Sequence, residues 1–336
     1  MISRRIFRHC QKRAFSSSVV AFNRGSVPSI GDITHTPEAV SQFQERAKAF
    51  REAAAEAQRL ATATRTAPAP ATTADGAQAT TTDEEPKKGG IVKSILYGSE
   101  EGQRMQAELE QSYSKILARG KYVHAIEIHQ VKPIKVEQYI KLIGDIYPKI
   151  AADKDMNCHL VGSWKTEIGD ADTFVHIWEY QGYAGYHHTV NRVNATPALH
   201  DPLRKYMPRF VRHRRTDLMQ EFSFWPTSAP RQFGGIFELR SYTLQPGHLM
   251  DWEHHWRAGL NARKNVMEGV GAWFTQIGEL NRVHYLWQFP DLRARQMARE
   301  KSWGEKGWSS TVHKTVPLIE RMESRIMVPL PWSPVA

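Results

Sequence analysis

At 336 residues the chain is long enough for two domains of ordinary size, and its formal net charge of +10 raises the question of nucleic acid or acidic membrane as a partner. Six of those charges, Arg4, Arg5, Arg8, Lys12, Arg13 and Arg24, sit in the first 25 residues, which contain no acid; the remainder carries an unremarkable surplus, and nucleic acid is not expected as a partner. No run approaches the roughly 18 apolar residues of a spanning helix, so a soluble mature protein is expected, and two cysteines, Cys10 and Cys158, exclude a disulfide framework and leave Cys158 as a buried, inert thiol.

In chain order, residues 1–25 have the composition of a mitochondrial targeting peptide: Arg- and Ser-rich, free of acids, with Ile2, Ile6 and Phe7 able to share one helical face. Residues 26–90 are expected to hold one amphipathic helix, at 38–60 on Val40, Phe43, Ala47, Phe50 and Ala54, followed by an Ala/Thr/Pro-rich disordered linker over 61–90. Residues 91–120 read as a polar helical brace. From 121 the composition changes, and all ten tryptophans lie beyond it.

The stretch 121–226 reads as β-α-β-β-α-β. A strand at 122–131 precedes a helix on Val136, Tyr139, Ile140, Ile143, Tyr147 and Ile150, then come strands at 157–166 and 173–180, helical structure over 183–215 broken near Pro197 and Pro202, and a last strand at 218–225. The stretch 236–334 repeats this order: strand 236–244, helix 248–267, strands 270–277 and 282–289, helices within 291–321, and a strand at 324–330. The repetition is explicit in Val161-Gly-Ser-Trp-Lys-Thr-Glu-Ile-Gly169 and Val270-Gly-Ala-Trp-Phe-Thr-Gln-Ile-Gly278, and the same spacing relates Trp178 to Trp287. A period this long marks two copies of one domain. The expected fold class is therefore α+β, with tandem ferredoxin-like repeats whose open sheet faces cover each other as a closed barrel of the dimeric α/β type within one chain.

The run Phe237-Glu-Leu-Arg-Ser-Tyr-Thr-Leu-Gln-Pro-Gly247, with Asp251, Trp252 and Trp256 after it, resembles the NIPSNAP family of mitochondrial proteins. So do Glu221-Phe-Ser-Phe-Trp225, Gln276-Ile-Gly278, His284 with Trp287, and Thr315-Val-Pro-Leu-Ile319 through Glu323-Ser-Arg-Ile-Met327. The resemblance covers about residues 91–334 and implies the dimeric α/β-barrel fold, a mitochondrial, matrix location with membrane association left open, and binding of protein partners, including autophagy receptors, in the marking of damaged mitochondria. The residues leave a homo-oligomer open.

No nucleotide-binding glycine loop, paired zinc cysteines, His-Glu-x-x-His or nucleophile signature occurs, so a non-catalytic role is favoured and no cofactor is assigned. Asp251 and His255, four apart on one helix, offer too few ligands for a metal. Arg240 and Tyr242 in one strand, Gln276 in the next and His284 in the third converge as ligand-pocket residues if they share a sheet face, with His255 as a further candidate; the competing reading is a buried hydrogen-bond network. Trp164/Trp273 and Trp178/Trp287 read as core anchors. Arg204, Lys205, Arg209, Arg212, Arg214 and Arg215 form a basic run, read as a solvated face or as a contact with anionic inner-membrane lipid. Three functional readings result: a mitochondrial protein acting by partner or ligand binding, a barrel enzyme (cofactor-poor monooxygenase, isomerase or haem-handling protein), and a lipid-surface adaptor.

Overall fold

A computed structural model describes residues 29–66 and 122–336. The targeting peptide, the linker beyond Thr66 and the brace expected at 91–120 lie outside the described residues. Eight antiparallel strands close into a barrel in the order β1-β3-β2-β8-β5-β7-β6-β4, where β1 is Val123–Val131, β2 Cys158–Ile168, β3 Thr173–Tyr180, β4 Val211–Glu221, β5 Ile236–Leu244, β6 Glu268–Ile277, β7 Arg282–Phe289 and β8 Ile319–Pro329. Each half contributes four consecutive positions of this ring. The halves are joined by hydrogen-bonded pairing of β2 with β8, for example Thr166 opposite Met327, and of β4 with β6, for example Glu221 opposite Trp273.

Helices cover the outside. After α1 (Pro37–Thr66) come α2 (Val136–Ala152), α3 (Gly182–Ala195) and α4 (Pro197–Phe210) on the first half, then α5 (Leu249–Lys264), α6 (Leu292–Gly304) and α7 (Trp308–Thr315) on the second. Alternation along each strand separates two environments. Outward residues such as Val123, Ala125, Trp178 and Tyr180 pack under α2 and its neighbours, and Tyr242, Tyr285, Trp287 and Phe289 pack under α5. Inward residues from both halves, among them Ile126, Trp164, Ile177, Phe237, Leu239, Trp273, Leu286 and Met327, meet in one lumen cluster and are all essentially inaccessible to solvent. The barrel interior is thus a filled core.

The duplicated motif has a physical cause in this geometry. The register shifts at Gly162 in β2 and at Gly271 in β6, and there the ring of Trp164 or Trp273 folds back over the glycine two positions earlier, where a β-carbon would collide with it. The glycines that close the motif, Gly169 and Gly278, both have φ near 117°, open to glycine alone, and start the hairpin turns to β3 and β7.

Two expectations are corrected. The segment 211–215, read as helical, is the first half of β4, because it pairs with β1 (His129 opposite Arg214) and Val211 caps α4 in extended conformation. Of the two prolines read as interruptions, Pro202 lies inside α4, whereas Pro197 opens it and the break falls beside it, at Thr196 between α3 and α4. Beyond the barrel, α1 runs from Pro37 to Thr66, past the expected end at residue 60. It docks on the connection between the halves: Phe43 and Phe50 pack edge-on against Phe233, and Arg231, paired with Glu268 at 2.9 Å, lies over the same rings. Cys158 is buried without a disulfide partner, and burial pushes its thiol up to about 12.

Candidate ligand-binding site

The spaces between sheet and helices differ in chemistry, although strand register makes Glu127 equivalent to Arg240 and His176 equivalent to Tyr285. In the first half Tyr139 of α2 places its hydroxyl 2.7 Å from His129 Nδ1 and 2.8 Å from His176 Nε2, and His176 Nδ1 is 2.8 Å from Ser163 Oγ. Two proton orders satisfy the chain, one running from Ser163 through His176 and Tyr139 to His129 and the other its reverse. Burial holds both imidazoles neutral, aided by the charge of Arg214 at His129 and by His129 at His176; His129 falls to about 3 and His176 lies well below the ordinary range. Tyr147 donates to Glu127 at 2.6 Å, and burial raises that carboxyl. The imidazoles and tyrosines of this network satisfy one another, with the half-buried Glu127 at its margin.

The second half places a charged cluster in the same layer. Glu238, 1% exposed, accepts from Arg240 Nη1 at 2.8 Å, from Arg295 Nε and Nη2 at 2.9 and 2.7 Å, and from Ser324 Oγ at 2.8 Å. Burial works against ionisation of Glu238, yet the Arg295 hydrogen bonds and the charges of Arg240 and Arg295 hold it down to about 2. Arg240 Nε also donates to Tyr242 Oη at 2.7 Å, and Tyr242 meets Tyr285 edge-on at 5.3 Å. Behind them Trp252, Trp256 and Trp225 stack in sequence, the first two at 4.8 Å and the last two at 5.4 Å.

The residues singled out from sequence separate accordingly. Arg240 and Tyr242 come together on the helix-facing side. His284 points the other way, into the lumen, where its Nδ1 lies 2.8 Å from Ser241 Oγ; odd and even positions of paired strands face opposite sides, so the expected convergence with Arg240 does not form. Burial, and the charges of Arg282, Arg215 and Arg325, keep His284 neutral. Gln276 is exposed near the end of β6, and His255 is half-buried on α5, its imidazole lowered by burial and by the neighbouring His254 and Lys314. His248 contacts Asp251 at 3.1 Å, on the exposed start of the helix. In the basic run, Arg204, Lys205, Arg209, Arg212 and Arg214 are exposed, whereas Arg215 is half-buried between Asp217 and Glu279.

Sequence reading missed two groupings. Arg263, Arg295 and Arg299 join Arg240 only through the packing of α5 and α6 on β5, and nothing in their spacing announces it. At one end of the lumen His124 Nε2 lies 3.2 Å from Glu179 and 3.1 Å from Thr227 Oγ1; Thr227 in turn donates to Glu221 at 2.9 Å and accepts from Trp273 Nε1 at 3.1 Å. The donor atoms of His124, Glu179 and Glu221 lie within 4.8 Å of one another, near enough to share a cation, but hydrogen bonds through Thr227 already link them. His124, Glu179 and Glu221 stand 42 or more positions apart from one another, beyond any local motif.

The chain matches the NIPSNAP family profile over residues 125–226 and 237–334. It is 41% identical over 214 residues to Protein NipSnap homolog 1 of Danio rerio, spanning 63% of this chain and 76% of that protein, and 39% identical over 227 residues to Protein NipSnap homolog 2 of Homo sapiens, spanning 67% and 79%. A putative monooxygenase structure from Fusobacterium nucleatum covers 63% of this chain and 93% of its own, at 12% identity and a TM-score of 0.49, too distant to bear on chemistry. With both profile segments matched in tandem, and relatives of this identity over most of their length, the chain belongs to the NIPSNAP family.

Proposed function

We propose that this chain is a non-catalytic binding protein of mitochondria, acting in quality control by presenting its surface to partner proteins, autophagy receptors among them. The observation that supports this reading over the enzyme reading is the filled lumen: Trp164, Trp273, Phe237, Leu286 and Met327 leave no exposed surface inside the barrel, and the polar set around His284 is sealed within it. Each half is read as a ferredoxin-like unit, with the two sheets covering each other as the protomers of a dimeric α/β barrel do. The acid-free, arginine-rich first 25 residues support delivery to mitochondria, and the exposed guanidinium and ammonium groups of α4 and β4 support peripheral contact with anionic inner-membrane lipid. Among the described residues no helix is long and apolar enough to cross a membrane.

Crosslinking mass spectrometry on isolated mitochondria, with the full chain tagged at its C-terminus, tests the proposal. Crosslinks to a second protein are expected, with loss of mitochondrial recovery when residues 1–25 are removed. A chain absent from mitochondria, or present there without any crosslinked protein, overturns it.

A further inference from the structure

The cluster around Glu238 holds more cations than its one carboxylate satisfies. Arg240 and Arg295 are both engaged with Glu238. Arg263, 7% exposed at the end of α5, has no carboxylate partner among the described residues: its guanidinium lies 3.9 Å from the ring centre of Trp308 and reaches only the Met267 sulfur, at 3.5 Å. Arg299, one turn beyond Arg295 on α6 and half-buried, has no ion pair among the described residues either. The two border one neighbourhood: Arg263 lies over Trp308, Trp308 meets Trp303, and Arg299 stands one turn before Trp303 on α6; burial and the charge of Arg299 lower Arg263 to about 10, and burial and the charge of Arg240 lower Arg299. The Glu238 carboxylate acts on both from a distance but is already paired with Arg240 and Arg295; guanidinium groups withdrawn from water with no ion pair of their own are destabilising, and arginine forks match the two oxygens of a carboxylate or phosphate. Beside them, four residues after Arg299 on α6, Trp303 is 54% exposed and meets Trp308 edge-on at 6.4 Å. A large aromatic ring left open next to a cation pair is a platform for a flat or apolar body.

We infer that the second repeat binds an organic oxyanion between α5 and α6, its carboxylate or phosphate bridging Arg263 and Arg299 and its body resting on Trp303, while Arg240 and Arg295 stay locked on Glu238. The first repeat has no counterpart, since its equivalent layer is closed by the Tyr139 network. The site stands whether or not the chain recruits protein partners, and so goes beyond the binding role proposed above.

Isothermal titration of the purified chain at constant ionic strength, with phenyl phosphate, benzoate and inorganic phosphate as probes, tests it. Saturable one-site binding of phenyl phosphate or benzoate is expected, and which of the two binds identifies the headgroup. Arg299→Gln should weaken that binding at least tenfold, Trp303→Ala should weaken the aromatic probe but not inorganic phosphate, and Arg212→Gln, on the exposed edge of β4, should leave it unchanged. Because Arg299 makes no ion pair among the described residues and is crowded by Arg240 and Arg295, the ligand-free Arg299→Gln protein should melt at or above the temperature of the parent. No saturable binding by any probe, equal binding by Arg299→Gln, or a lowered melting temperature for that variant overturns the inference.

Discussion

The two halves share a strand order, a glycine-tryptophan motif and a common lumen, yet the layer between sheet and helix is built on neutral imidazoles and tyrosines in one and on ion pairs in the other. At equivalent strand positions Glu127 faces Tyr147 while Arg240 faces Glu238, and His176 bonds Tyr139 while Tyr285 sits against Tyr242 and the stacked tryptophans. The shared lumen is what the barrel needs to exist, and its anchors repeat, Trp164 with Trp273 and Ile177 with Leu286. The outer layers are where duplicated copies are free to differ, because each is sealed by its own helices. A protein of this build separates stability, held in common, from recognition, held by one copy.

The lumen half of that statement is open to the largest test. Trp164 and Trp273 are both fully buried and fold over equivalent glycines. Trp273→Ala and Trp164→Ala should each lower stability by about 3 to 5 kcal/mol, from lost burial and the cavity left behind, measured by urea denaturation of the full chain. A loss confined to one of the two would mean that the halves do not share the core equally.

The outer layers should respond in opposite ways to the same chemical change. Glu238→Gln leaves Arg240 and Arg295 without their carboxylate and should cost about 3 to 5 kcal/mol. Glu127→Gln removes a carboxyl that burial already disfavours as an anion, while its amide oxygen still accepts from Tyr147, so stability should change by less than about 1 kcal/mol. Equal losses in the two variants would erase the distinction between a layer built on ion pairs and one built on tyrosine and imidazole hydrogen bonds.

Acid should act through the neutral imidazoles, two in the first outer layer and one in the lumen. His129, His176 and His284 all titrate far lower folded than unfolded, so the unfolded chain takes up protons first as pH falls below about 6.5. Their contribution to stability is complete above that value and is lost progressively below it, down to about 3 for His129. Between pH 7 and 5.5 each should account for about 1 to 1.5 kcal/mol, so about 3 to 4 kcal/mol together. Urea midpoints across this range, compared between the parent and His176→Phe, measure it; a flat profile would mean that the imidazoles are open to water.

Much of this architecture was legible in the residues, and the reason is periodicity. Alternation in β1, the three- and four-residue steps of α2, and the repeat around Trp164 and Trp273 are local signals that survive without knowledge of contacts. Helix and strand were confused at 211–215 because Arg212 to Arg215 carry no alternation of their own; their extended form comes from pairing with β1. The candidate site was half legible. Arg240 and Tyr242 share a face by parity within one strand, whereas the placing of His284 depends on how strand residues align across the sheet, and Arg263, Arg295 and Arg299 reach the site from helices whose rotation no linear spacing encodes.

The smallest expected effect concerns α5, where the sequence crowds His248, Asp251, His254 and His255 into two turns. Trp252 and Trp256 of the same helix are buried against the sheet, so the helix is anchored by its tryptophans and turns its histidines outward. His255 is half-buried, and His254, edge-on at 5.3 Å, and Lys314 across on α7 act on it as like charges when it is protonated. Its replacement removes no side-chain hydrogen bond among the described residues, and His255→Ala should therefore change stability by less than about 1 kcal/mol at neutral pH. The same variant should leave binding of phenyl phosphate intact, since the cations that define that site lie toward α6. A loss of more than about 2 kcal/mol would make the histidine face of α5 part of the structural core.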